Sequence, residues 1–275
     1  MTDMHRTPTN AAPGREPIFN APPVVVGLAL LLIALYALFT WASPPAQDMI
    51  IRQYAFVPGR LTVSIWPSRA IDLLIRANSD PIALDQVRAM RDLHALGGGA
   101  KPWTLVTYAF LHGAWSHVLL NSVWLVAFGP PVVRRFGSTG FLVFLGVTAI
   151  AAALAHWAVG PMDFMPLIGA SGADSGLMGA ATRFMFQPGA PLGATAERPL
   201  DLETIPAGSL RSMIAESRPR IFLFIWLGSN FIFGAFARPL GLSDMPVAWV
   251  AHLGGFVAGL VIFPLFDRPP ARAGA

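Results

Sequence analysis

The chain has 275 residues, of which 54% are hydrophobic and only 12% charged, and its mean hydropathy is +0.56. A soluble domain carries roughly twice that charged fraction, so the composition argues against one large water-soluble core and for a polytopic membrane protein. The charge of +4 and pI near 10.3 come almost wholly from Arg scattered between apolar segments; this suits loops against anionic headgroups and argues against a nucleic-acid partner, while the lack of Cys removes disulfides and thiolate chemistry.

Residues 1–23 are polar and rich in Pro, Asn and Thr, and read as a cytoplasmic tail. The apolar run that follows is too long for a signal-peptide core and lacks a convincing small-residue cleavage site. Crossing a hydrocarbon core of about 30 Å takes about 20 helical residues. Six segments approach or exceed that length: 24–42, 103–128, 140–159, 171–186, 221–236 and 247–266. They make residues 24–267 an all-α domain of six transmembrane helices, followed by a short tail, 268–275.

Two connections are long. Residues 43–102 carry Pro44, Pro45, Pro58, Pro67 and Pro81 beside apolar patches, and read as an extramembrane region with short interfacial helices. Residues 187–220 mix Pro, Gly, Glu and Arg and read as a flexible cytoplasmic loop. Arg134 and Arg135 follow the second segment, Arg183 and several Arg up to Arg220 surround the connection after the fourth, and Arg268 and Arg272 follow the sixth. The positive-inside rule then puts both termini in the cytoplasm.

Polar residues inside apolar spans are costly and mark function by default. The second segment contains His112, His117 and Asn121; the fourth opens on Ser171; the sixth contains His252. His117 and Asn121 are four residues apart and share a helix face, so both can donate hydrogen bonds toward one developing oxyanion. The fourth and sixth segments also carry small-residue stripes, Gly172-x3-Gly176-x3-Ala180 and Ala251-x3-Gly255-x3-Gly259. Such stripes let helices approach closely in lipid. Ser171 and His252 each sit beside a stripe, so close packing would bring hydroxyl and imidazole within hydrogen-bond reach, as a nucleophile and its base require. Taken singly, Ser171 also fits a helix cap and His252 an interhelical hydrogen bond; His112 fits either a supporting or a packing role.

Other chemistries lack their parts. There is no His-Glu-x-x-His for a zinc protease, and Gly169-x-Ser171-x-Ala173 is not a nucleophile elbow. Asp174 is the single span carboxylate near Ser171, too few for an aspartyl pair. It faces a water cavity, pairs with a neighbouring polar group, or orients His252 as a third member. No internal repeat supports a transporter.

The combination resembles the rhomboid family of intramembrane serine proteases. The family's His-x-x-x-Asn matches His117 and Asn121, its Gly-x-Ser-Gly matches Gly169 to Gly172, and its His-x-x-Gly-x-x-x-Gly matches His252, Gly255 and Gly259. The resemblance implies a six-helix bundle with a water-filled cavity and a Ser171–His252 dyad with no acidic third member. It further implies cleavage of transmembrane protein substrates in the bilayer, without cofactor or metal, in a layout like that of bacterial inner-membrane members. A catalytically inactive rhomboid-like protein that binds membrane proteins is the alternative. The chain departs from the family at Trp103-Thr104, where Trp-Arg is common, at Val132 to Arg135, where a Glu is frequent, and at Ser175, where some members stack an aromatic on the catalytic His.

Overall fold

Prolines begin most of the early helices. A proline in the first helical turn has no N–H to leave unpaired, and its fixed φ suits helix entry. Pro23 opens α1 (Pro23–Trp41), Pro44 opens α2 (Pro44–Tyr54), Pro58 opens α3 (Pro58–Ile65) and Pro81 opens α5 (Pro81–Ala95), with α4 (Ser68–Arg76) between. The computed structural model describes residues 21–95, 98–193, 205–236 and 248–267, and these are helices, turns and loops with one isolated antiparallel bridge, Phe56 to Leu167. The N-terminal tail up to residue 20, residues 96–97, 194–204 and 237–247, and the C-terminal tail from residue 268 lie outside the described residues.

The chain continues through α6 (Thr104–Thr107), a tight turn at Tyr108–Phe110, and α7 (Trp115–Val159). The 45 residues of α7 form two arms, because Gly137 adopts φ 72 and ψ 166, a left-handed backbone that breaks the helix direction. These arms, 115–136 and 138–159, correspond to the second and third expected spans. The second begins 12 residues later than hydropathy suggests. Leu111 and Ala114 are extended, so residues 103–114 fold as the short α6, a tight turn and extended chain despite their apolarity, and His112 precedes the helix instead of lying in it. Then come α8 (Ser171–Met185), α9 (Leu210–Ala215), α10 (Ser217–Phe236) and α11 (Trp249–Phe266). Two pieces of the connection read as flexible are thus helical: α9 and the first turn of α10.

Among the described residues, α1, α7 and α11 are long and apolar enough to cross a membrane. Their outer faces are apolar too: Leu30, Leu38, Leu120, Val123, Val261 and Leu265 are all exposed. By contrast α8, at 15 residues, extends only about 22 Å and is buried from Gly172 to Phe184.

Glycine decides how α8 fits between its neighbours. A Cβ on Gly255 would collide with the carbonyl oxygen of Gly172, and one on Gly259 with that of Gly176. On another side of α8, a Cβ on Gly172 would stand 2.6 Å from the methyl of Ala152, and one on Gly176 2.5 Å from Thr148. At these glycines backbone therefore packs on backbone, with no side chain between α8 and α11. At the far end, two arginines tie the helices together. Arg135 pairs with Asp267 (Nε to Oδ1 2.5 Å, Nη2 to Oδ2 3.0 Å), donates to the Ile205 carbonyl and lies over the ring of Phe184. Arg183 donates to the carbonyls of Gly208 and Leu260. The sequence marked both as signs of topology; they also clamp the bundle.

The first-loop helices have their own small core of Val57, Val63, Leu73, Val87 and Phe164. Arg60 is buried there, donating to the carbonyls of Arg52 and Ala55 at 2.6 and 2.8 Å. Burial lowers it to about 10, so it keeps its charge at neutral pH. Lys101 and Trp103 both bond to Gln53. Anchoring thus runs through Arg60, Lys101 and Trp103, where the family's common Trp-Arg is absent.

Replacing Gly255 by Val should drive α11 off α8 and lower the thermal midpoint in detergent by several degrees, since overpacking a dense interface costs about 1–3 kcal/mol. Val at the outward-facing Gly27, where an added Cβ meets nothing within 4 Å, should leave the midpoint near wild type.

Candidate active site

The approach of α8 to α11 fixes the central contact. Ser171 is the first residue of α8 and His252 lies in the first turn of α11. The hydroxyl Oγ of Ser171 stands 2.8 Å from Nε2 of His252. Both side chains are partly open, as a nucleophile that must meet a substrate has to be. The helix start also leaves its first backbone N–H groups without intrahelical partners and concentrates positive potential there, which favours a developing negative charge.

The segment before Ser171 is pinned by backbone hydrogen bonds. The backbones of Phe56 and Leu167 bond to each other at 3.3 and 2.8 Å, and the Gly169 N–H donates to the Tyr108 carbonyl at 3.0 Å. Gly169 has φ 109, a backbone that disfavours any side chain. Space forbids one as well: a Cβ there would lie 2.5 Å from Nε2 of His117 and 3.4 Å from Nδ2 of Asn121. Both groups therefore stand against the backbone two residues before Ser171. The structure brings His117 and Asn121 onto this wall from the first turns of α7, in line with their four-residue spacing.

His112 forms the layer behind. Its Nε2 lies 2.9 Å from Nδ2 of Asn121, and its ring meets that of His117 edge-on at 5.0 Å. Since an amide nitrogen can only donate, His112 accepts through Nε2. It is buried together with Asn121, so it fixes the amide's orientation from outside the helix. Gly172, Gly255 and Gly259 do their work in the helix contact described above.

Ser175 and Asp174 take other roles. Ser175 bonds back to the Ser171 carbonyl at 2.7 Å and adds no ring against His252. Asp174 is buried, and its Oδ2 has no hydrogen-bond partner among the described residues. The second nitrogen of His252 is engaged elsewhere: Nδ1 lies 2.8 Å from Oδ1 of Asn230, on α10. The sequence reading missed Asn230. It is the one Asn in the fifth apolar segment, and a carboxamide in lipid seeks a partner on a neighbouring helix; that was the available signal.

Among the described residues no group of three or more His, Asp or Glu is arranged to hold a metal.

A family model described as the Rhomboid domain matches residues 99–268. A Bacillus subtilis (strain 168) protein named "Putative rhomboid protease YdcA" is 34% identical over 77 residues, 28% of this chain and 38% of that protein. "Rhomboid-like protein 11, chloroplastic" of Arabidopsis thaliana is 25% identical over 188 residues, 68% of this chain and 61% of its own length. In both cases the matched region spans less than two thirds of the relative.

Gly169→Ala should displace His117 and strain the backbone by about 1–2 kcal/mol. Thermal unfolding in detergent should show a lowered midpoint; a variant as stable as wild type would mean that the wall at Gly169 yields freely.

Proposed function

The chain belongs to the rhomboid family, and we propose that it is a serine endopeptidase that hydrolyses peptide bonds in or near the transmembrane segments of other membrane proteins. The observation that carries this reading is the 2.8 Å contact of Ser171 Oγ with His252 Nε2. A cap or packing serine has no need of an imidazole in line with its hydroxyl.

In the proposed reaction His252 takes the hydroxyl proton on Nε2 as Ser171 Oγ attacks the scissile carbonyl carbon. The carbonyl oxygen becomes an oxyanion, received by His117, Asn121 and the backbone at the start of α8. When the C–N bond breaks, His252 passes its proton to the leaving amine. Water then enters, gives a proton to His252 as its oxygen attacks the acyl carbon, and His252 returns that proton to Ser171 Oγ as the ester bond breaks and the acid product leaves. Donors placed in advance matter most here, because they need not reorganise as charge appears.

The family implies how a substrate arrives: its helix unwinds locally, and small residues suit the cut. Six spans fit the helices if α7 supplies two, one on each side of Gly137, joined by α1, α8, α10 and α11. Arg135 and Arg183 lie at the end of the bundle away from Ser171. With the positive-inside rule this supports cytoplasmic termini and a site near the opposite face; a bacterial inner membrane is what the resemblance in layout implies.

Purified Ser171→Ala and His252→Ala should fold and yet release no fragment from a transmembrane substrate, nor react with a fluorophosphonate. Cleavage at the wild-type rate by either would overturn the assignment. Asn121→Ala should retain Ser171 and His252 but cleave about 100- to 1000-fold more slowly, the usual cost of one oxyanion donor; initial rates on the same substrate check this.

A further inference from the structure

His252 meets two partners, and only one of them belongs to the proposed dyad. On α10, Nδ2 of Asn230 donates to the carbonyl of Trp226, one turn earlier, at 2.9 Å. That bond settles which way the amide faces. If it were flipped, Oδ1 would point at the Trp226 carbonyl, oxygen against oxygen, and the amide nitrogen would point at His252. In the observed orientation an acceptor, Oδ1, faces Nδ1 of His252 at 2.8 Å. A hydrogen bond there requires the proton on Nδ1. A neutral imidazole protonated on Nδ1 has a lone pair on Nε2, and Nε2 is the atom 2.8 Å from the Ser171 hydroxyl.

The amide itself is braced. Trp226 is buried and stacks on Phe256 of α11, ring centroids 4.0 Å apart and planes 21° from parallel. Phe256 lies one turn beyond His252 on the same helix, so the tryptophan that receives the Asn230 amide is docked on the helix that carries the base. Ser175 leaves no aromatic ring on His252 from α8, and Asp174 does not take the Nδ1 position.

We infer that Asn230 is the positioning residue of the site: by accepting a hydrogen bond from Nδ1 it holds His252 in the tautomer whose Nε2 can take the Ser171 proton. This rests on the hydrolase reading above and adds a third, uncharged member to it. A carboxamide can serve here because the group need only orient the ring and select its tautomer, as the neutral member of some cysteine-protease triads does.

The test reads the imidazole directly. In the full chain, labelled with 15N-histidine in detergent micelles, the His252 signals are assigned by their loss in His252→Ala. Long-range proton–nitrogen correlation then shows which ring nitrogen carries the proton. Wild type should carry it on Nδ1. Asn230→Leu, an apolar replacement on a lipid-compatible helix, should move it to Nε2, while Asn230→Asp, which keeps an acceptor oxygen, should return it to Nδ1. In parallel, the rate at which a fluorophosphonate loses fluoride to Ser171 should fall about 100-fold or more in Asn230→Leu, the scale of a lost general base. Asn230→Asp should recover to within about ten-fold of wild type. A wild-type proton on Nε2, a proton unmoved in Asn230→Leu, or labelling of Asn230→Leu at the wild-type rate would each overturn the inference. A wild type with the proton on Nδ1, displaced in Asn230→Leu, that nevertheless never labels would instead sink the hydrolase reading and leave the tautomer control standing.

Discussion

The site depends on two helix backbones lying against each other. Gly172 and Gly176 of α8 offer their carbonyls to the bare Cα atoms of Gly255 and Gly259 on α11, and that contact sets the distance from Ser171 to His252. In lipid there is little hydrophobic force between helices, so close backbone packing has to supply the attraction. It also supplies precision, because a backbone has no rotamers to average over. A side chain anywhere along this seam would separate the helices by more than a hydrogen bond can stretch.

Around that seam the polar groups form a relay whose directions can be assigned almost bond by bond. The Trp226 carbonyl receives Asn230, Asn230 receives His252, and His252 faces Ser171. On the other side His112 receives Asn121, which together with His117 lines the wall at Gly169. Asn230, His252 and Asn121 thereby have their donor or acceptor roles fixed by neighbours farther from the reaction, the arrangement a low-dielectric interior rewards. Elsewhere the same economy holds: Arg135 and Arg183 spend their guanidinium protons on helix-end and loop carbonyls as well as on Asp267.

Much of this was readable from spacing. His117 and Asn121 at four residues, and glycines at four-residue intervals in two segments, encode helix faces directly, so the approach of Ser171 to His252 and the shared face of His117 and Asn121 could be anticipated. Span boundaries were less legible, because hydropathy registers solvent preference and not backbone direction. It therefore extended the second span back through residues 103–114, where turns bury apolar side chains against the first loop. The prolines were legible in both their roles, for Pro44, Pro58 and Pro81 punctuate the loop and also begin its short helices. Asn230 was hidden for a different reason. Its partner lies 22 residues away on a helix whose rotation no local pattern reveals. The same holds for Arg60, whose carbonyl partners belong to the turn of a neighbouring helix.

The place of α11 in the chain has a bearing on biosynthesis. A polypeptide made from its N-terminus, folding as it emerges, completes α8 and the wall at Gly169 while His252 is still unmade. Until residues 249–267 arrive, Ser171 has no imidazole beside it, the glycine face of α8 is uncovered, and Arg135 lacks Asp267. The same segment brings the imidazole, the backbone seam and the ionic clamp together. A nascent or truncated chain therefore lacks all three at once, and the Ser171 hydroxyl gains its imidazole only when the bundle closes.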